Sequence, residues 1–203
     1  MQKLAEAQLS NMQNFPEYVL SQAVMTIKAA RMWILAAFFI YCAAAVVAWS
    51  HSEHFDFLEV QFGSLVEQFE GLGAWEFILR IFIHNLIASY LAMCFVVFFG
   101  SIPLALAVFN GLMLGWFIDW MDHFSSLDLL IMLGPHGVFE LPAMFIAFGV
   151  GMWRGVGFRL GQEHPGWLER LKRVHCVFAV FVVPLLFVAA VLEGRYHLME
   201  LLM

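Results

Sequence analysis

A histidine and a carboxylate lie inside an apolar stretch of this chain, at His136 and Glu140 in the sequence Pro-His-Gly-Val-Phe-Glu-Leu-Pro of residues 135–142. A charged side chain within a bilayer costs at least about 2.5–3.5 kcal/mol. Such a residue persists when it has polar partners, lines a polar cavity or carries out chemistry. The i,i+4 spacing places both side chains on one face of a continuous helix. His136 and Glu140 are therefore predicted to act together.

Three further polar residues, His84, Asn85 and Asn110, lie in other apolar stretches of the chain. Counted from the ends of the predicted membrane spans, all five residues fall at a similar depth, between the outer surface and the midplane. We expect Glu140 to pair with His84 or His136. The five residues are predicted to form a buried polar cluster that binds a ligand or joins the helices.

Three interpretations of this cluster are open. The first is interhelical hydrogen bonding, which contributes about 0.6 kcal/mol per bond on average within membranes. The second is a pocket or path for a proton, an ion, a lipid headgroup or a peptide. The third is a divalent metal site, or a hydrolytic site, formed by His84, His136 and Glu140 with a water molecule as the fourth ligand. The chain contains no HExxH sequence, so the i,i+4 pair alone does not specify a metal.

The composition of the chain indicates that these residues belong to an integral membrane protein. Hydrophobic residues make up 63% of the sequence and charged residues only 13%, whereas soluble proteins carry about 25% charged residues. Several apolar runs reach the roughly 18–20 residues that cross a bilayer. The predicted fold class is all-α, a bundle of about five transmembrane helices, at residues 32–49, 77–99, 104–121, 138–153 and 174–192.

The segments around these spans have distinct predicted roles. Residues 1–31 are predicted to be a cytoplasmic amphipathic N-terminal helix, interrupted near Pro16, and residues 32–203 the transmembrane domain. Residues 51–76 are acidic, contain no Lys or Arg, and repeat apolar residues at helical spacing, which is typical of an external amphipathic helix on the membrane surface. Gly134 and Pro135 predict a broken helix after the short apolar segment 127–133, which is either part of one bent span or re-entrant.

The basic residues predict the orientation in the membrane. Eight of them flank one side of the predicted spans, and Arg80 and Arg195 lie on or near the other. The positive-inside rule then predicts a cytoplasmic N-terminus and an external C-terminus. The predicted location is the cell inner membrane. The basic run at residues 170–173 predicts contact with anionic membrane lipids and not with nucleic acid. Three cysteines without paired spacing argue against a disulfide scaffold.

Small residues recur four positions apart, at Gly111 and Gly115 and at Gly151 and Gly155. Such pairs let helix backbones approach closely. They fit packing within one chain or the interface of a homodimer, and both options are open. We expect a homodimer.

The order of these motifs resembles the stage II sporulation protein M family. The residues that carry the resemblance are Asn85, Asn110, Gly111, Gly115, Pro135, His136, Gly137, Glu140 and Pro142. Members of that family are multispanning membrane proteins that are not established as enzymes. Sporulating members act in engulfment, in a membrane complex with peptidoglycan-degrading partners.

The resemblance implies a protein that organises a membrane or cell-envelope complex, with envelope or peptidoglycan-remodelling proteins as partners. The alternatives are a small transporter, channel or lipid-handling protein that uses the polar cluster as its path, and a metal-dependent intramembrane hydrolase.

Overall fold

The computed structural model describes residues 2–95, 100–121, 125–160 and 165–195, and for residues 2–14, 65, 66, 126, 132, 158 and 160 it describes the backbone alone. Seven α-helices lie within these ranges: α1 (Gln2–Ser50), α2 (Phe57–Glu67), α3 (Ala74–Cys94), α4 (Ser101–Trp120), α5 (Ser126–Gly155), α6 (Trp167–Val177) and α7 (Val183–Glu193). A π-helical turn, Phe178–Val182, joins α6 and α7 into one long helix. The same ranges contain no strand.

Five helices are long and apolar enough to cross a membrane: Phe15–Ser50, Ala74–Cys94, Ser101–Trp120, Leu133–Gly155 and Trp167–Glu193. The predicted all-α membrane bundle of five spans is therefore confirmed. The helix ends differ from the predicted span ends by several residues, because backbone hydrogen bonds and caps end a helix, whereas hydropathy marks only its apolar part. The predicted end of the second span, at residues 96–99, lies outside the described residues.

The helix break predicted at Gly134 and Pro135 is wrong. α5 is one continuous helix that includes both Pro135 and Pro142, so residues 127–133 belong to the same helix as the fourth span. Proline removes one hydrogen bond from the helix ladder. The helix nevertheless continues through Pro135, and α5 as a whole packs against α1, α3, α4 and α7.

The interruption predicted near Pro16 is also wrong, because α1 continues through this residue and through residue 31. One helix thus joins the predicted N-terminal segment to the first span. The division into residues 1–31 and 32–203 stays a prediction. Residue 1 and the C-terminal residues 196–203, on which the external C-terminus was predicted, lie outside the described residues.

The glycines of the small-residue pairs pack helices of one chain together. A Cβ atom at Gly111 would overlap the carbonyl oxygen of Tyr41, and one at Gly115 would overlap that of Ala45, so α4 lies directly on α1. Gly151 of α5 faces the carbonyl oxygen of Ala92 in the same way. Gly155 lies beside Gly100, at the start of α4. Packing within one chain therefore accounts for these four glycines.

The two ends of the bundle differ in chemistry. We call the end where α1 stops and α2 begins the α2 end, and the other the opposite end. At the opposite end the side chain of Arg154 is buried. Its Nη1 atom donates to the carbonyl oxygens of Met93 and Cys94 in the last turn of α3, and its guanidinium lies 5.9 Å from the ring centroid of Trp167. Arg154 therefore supplies donors that the end of α3 lacks.

Candidate functional site

The amphipathic helix expected in residues 51–76 is present as α2, and its apolar face packs on the bundle. Leu58 is fully buried in a cluster with Ala48 and Trp116. The ring centroid of Phe62 lies 5.0 Å from that of Phe117. α2 is thus held against the ends of α1 and α4.

A cavity of about 490 Å³ lies at the α2 end, between α1, α3, α4, α5 and α7. Phe62 of α2 and Phe69 of the following turn form part of its wall. The ring centroid of Phe69 lies 5.5 Å from that of Phe77 and 6.5 Å from that of His84. Polar side chains from every surrounding helix line the cavity: Tyr41, His84, Asn85, Asn110, His136, Glu140 and Glu193.

All five residues of the predicted polar cluster line this one cavity. Asn85, Asn110, His136 and Glu140 are half-buried, while His84 is exposed. The Nδ2 atom of Asn85 donates to Oε1 of Glu140 at 3.0 Å. Asn110 donates from Nδ2 to the carbonyl oxygen of Leu106, within its own helix, at 2.8 Å. Glu140 was expected to pair with His84 or His136. Its hydrogen bond in the structure comes from Asn85, and a ligand atom of His136 lies within 4.8 Å of one of its own.

Glu193 supplies a second carboxylate beside that of Glu140, and with His136 the two form a group of possible metal ligands that was not predicted. His136, Glu140 and Glu193 each offer a ligand atom, and these atoms all lie within 4.8 Å of one another. The predicted metal ligands were His84, His136 and Glu140. Among the described residues, the group within ligand distance contains Glu193 in place of His84. His84 lines the same cavity, with its ring against Phe69.

The sequence contains only weak signals for Glu193 and Tyr41, two polar residues of the cavity wall that were not predicted. Glu193 ends the last apolar run, where a carboxylate is expected to face water. Tyr41 stands in the first span, where its ring contributes to the apolar character of the segment. Their positions on the cavity wall depend on the rotation of α1 and α7, which hydropathy does not reveal.

The floor of the cavity lies deep in the bundle. Asn85 follows the start of α3 at Ala74 by 11 residues, or about 16 Å at a rise of about 1.5 Å per residue. Asn85 therefore lies about half-way along this 21-residue helix. Below the floor, toward the opposite end, five residues pack as a buried core: Ala37, Ala92, Ala107, Phe148 and Met152. Met144, which lines the cavity, packs against this core.

Gly137 and the two prolines of the motif occupy different surroundings. Gly137 lines the cavity, and a Cβ atom built there would meet nothing within 4 Å. Pro135 is half-buried and Pro142 is exposed. The close helix contacts made by Gly111, Gly115 and Gly151 are therefore not shared by Gly137.

Comparison with protein families relates the chain to one of them. The family model described as stage II sporulation protein M matches residues 16–195, a range that includes all the residues lining the cavity. Comparison with curated proteins and with solved structures found no match.

Proposed function

The chain belongs to the stage II sporulation protein M family, and we propose that it organises a cell-envelope complex in the cell inner membrane through the outer face of α2. The five apolar helices and the family make it a multi-pass membrane protein. The charge distribution supports an orientation with the α2 end outside the cytoplasm. Arg154, Arg170, Lys172 and Arg173 lie at or near the opposite end, which the positive-inside rule assigns to the cytoplasm.

This proposal rests on the contacts of α2, which packs on the bundle with one face and leaves the other face exposed. Leu58 and Phe62 attach its inner face to the bundle, while its outer face carries the apolar residues Phe57 and Val60, which are 55% and 71% exposed. Glu59 is exposed beside them. A helix fixed on one face, with apolar residues exposed on the other, is suited to recognising a partner.

The charge of this segment indicates the chemistry of the partner. Residues 51–76 carry six carboxylates and no Lys or Arg, the carboxylates being Glu53, Asp56, Glu59, Glu67, Glu70 and Glu76. Complementary charge selects partners and speeds their encounter. The proposed partner is a membrane-anchored envelope protein that presents basic and apolar residues close to the membrane. By family membership, the proposed class is peptidoglycan-remodelling proteins.

The polar cluster supports an organising role better than an open channel. The hydrogen bond from Asn85 to Glu140 joins α3 to α5, and Met144 of the cavity wall packs against the buried core around Ala107 and Phe148. A Glu140→Gln variant keeps an oxygen that can accept this bond, so the proposed partner should still bind. A transporter or ion path that uses this carboxylate should instead lose flux with the same change.

Site-specific photo-crosslinking in membranes tests the role of α2. A crosslinker in place of Val60 should capture the same envelope protein in repeated preparations. The matched control is Leu79, an apolar residue of α3 that is 58% exposed and is expected to face lipid. Replacing Glu53, Asp56 and Glu59 by Gln should remove the product from position 60, whereas Glu140→Gln should retain it. Equal capture from positions 60 and 79 would contradict the proposal.

The homodimer is proposed to form through the outer face of α1. Phe39 and Val46 are 65% and 57% exposed on this helix, seven residues apart and so on one face. Cysteine at position 39, in a variant without the three native cysteines, should crosslink between two chains in membranes. Cysteine at position 87 of α3 is the control. A monomer at all protein concentrations would remove this proposal.

A further inference from the structure

Two carboxylates and an imidazole lie close together in the wall of the cavity. Ligand atoms of His136, Glu140 and Glu193 lie within 4.8 Å of one another. Two carboxylates at this separation repel each other, and the repulsion is stronger in a site of low dielectric constant than in water. A cation or a proton between them relieves it. Among the described residues that line the cavity there is no Lys or Arg.

The three side chains are held in place by other parts of the fold. His136 and Glu140 are one helical turn apart on α5. Asn85 donates to Oε1 of Glu140, which orients the carboxylate, as hydrogen bonds commonly do for metal ligands. Glu193 is positioned by the packing of Gly194, where a Cβ atom would overlap the side chain of Ile78. α7 therefore ends directly against α3.

Arg195 is the basic residue that follows this site along the chain. Its Nη2 atom donates to the carbonyl oxygen of Ile131 at 2.9 Å. The guanidinium is thus placed on an outer turn of α5, at the α2 end. Its charge acts on His136, but Arg195 is not among the residues that line the cavity.

We propose that His136, Glu140 and Glu193 bind a divalent metal ion of the zinc class, with a fourth position open to the cavity. One imidazole nitrogen and two carboxylate oxygens are ligands that zinc accepts. Magnesium and calcium prefer oxygen ligands alone and larger coordination numbers. The ion offsets the repulsion between the carboxylates and links α5 to α7. An open position on a cavity of about 490 Å³ admits water or a ligand group, so hydrolysis should be assayed on the zinc-loaded protein.

Metal binding by the purified full-length protein tests this site. The protein in detergent is stripped with a chelator, equilibrated with Zn²⁺ or with Mn²⁺, and washed, and its metal content is measured by mass spectrometry. Wild type is expected to retain about one zinc ion per chain. Glu193→Gln and His136→Ala should each weaken zinc binding by at least about tenfold, and Asn85→Ala by about tenfold through its effect on Glu140. His84→Ala is the matched control, because His84 lines the cavity outside the trio.

Thermal unfolding gives a second measurement that separates lost binding from lost folding. Zinc should raise the melting temperature of wild type and of His84→Ala, since a ligand that binds only the folded state stabilises it. It should leave Glu193→Gln unchanged, provided that the metal-free variant melts cooperatively. If Glu193→Gln does not fold, Glu140→Gln takes its place. Wild type without zinc uptake, uptake of manganese alone, or full zinc retention by a folded Glu193→Gln would each overturn the proposal. None of these results alters the crosslinking expected from α2.

Discussion

The Nδ2 atom of Asn85 donates a hydrogen bond to Oε1 of Glu140 at 3.0 Å and thereby joins α3 to α5 at the floor of the cavity. The two residues are 55 positions apart in the sequence. Each is a polar side chain in an apolar helix, where an unpaired group is costly. The pair shows how two such residues satisfy each other through the packing of their helices.

Because of this hydrogen bond, replacing Asn85 and Glu140 together should cost less stability than replacing Asn85 alone. Asn85→Leu should destabilise the protein by about 1–3 kcal/mol, because it leaves the carboxyl group of Glu140 half-buried without its donor. The double variant with Glu140→Leu should lose less than the single variant, since two apolar side chains leave no unsatisfied group. Unfolding of the purified protein in mixed detergent measures both free energies. Additive losses from the two substitutions would contradict the coupling.

A methyl group at Gly115 should have an effect opposite to one at Gly137. Gly115→Ala should destabilise the protein by about 1–3 kcal/mol, as overpacking does, because the Cβ atom would overlap the carbonyl oxygen of Ala45 and push α4 from α1. At Gly137 a Cβ atom meets nothing within 4 Å. Gly137→Ala should therefore be neutral, or stabilising by up to about 1 kcal/mol through helix propensity. The same unfolding measurement compares the two, and equal effects would argue against the α1–α4 contact.

Arg154 is predicted to stabilise the opposite end of the bundle. Arg154→Met should cost about 1.5–3 kcal/mol, the range for hydrogen bonds to charged groups, because the carbonyl oxygens of Met93 and Cys94 lose their donor. Arg154→Lys should recover only part of this, since an ammonium group lacks the planar fork of donors. Arg31→Met is the control, as Arg31 is exposed on α1. Hydrogen exchange in the last turn of α3 should rise in Arg154→Met, rise less in Arg154→Lys and stay unchanged in Arg31→Met.

Phe62 is predicted to hold α2 on the bundle. Its ring contacts Trp116, Phe117 and Trp120, so Phe62→Ala should release the helix locally without unfolding the spans. Hydrogen exchange of the amides in α2 should become faster, and crosslinking from position 60 should fall. Phe57→Ala is the matched control for hydrogen exchange only, because Phe57 is on the outer face of the same helix and 55% exposed. Unchanged exchange in Phe62→Ala would mean that other contacts hold α2.

Several features of the site could be predicted from the sequence. His136 and Glu140 are one turn apart on any continuous helix, so their common face needed no tertiary information. Asn85 and Asn110 stand out because amide side chains are uncommon in apolar spans. Their meeting at one depth follows from counting residues along helices of known rise. In the structure these residues line one cavity, and the role of the cluster stays a prediction.

Other features could not be predicted, for reasons specific to the residues concerned. Gly134 and Pro135 disfavour helix by local propensity, yet packing on four neighbouring helices keeps α5 continuous. Glu193 directly follows the last predicted span, 174–192, and no prediction was made for it. Its side chain reaches the cavity because Gly194 brings α7 against Ile78.

The sequence by itself determined the membrane class, the five helical spans and the residues that are polar within them, because hydropathy, length and helical spacing are properties of each segment alone. The tertiary structure alone decided which partner Glu140 finds, that Glu193 replaces His84 beside His136, and how α2 lies on the cavity. These outcomes depend on the rotation and register of helices distant in the chain, which are set by contacts such as that of Gly115 with Ala45.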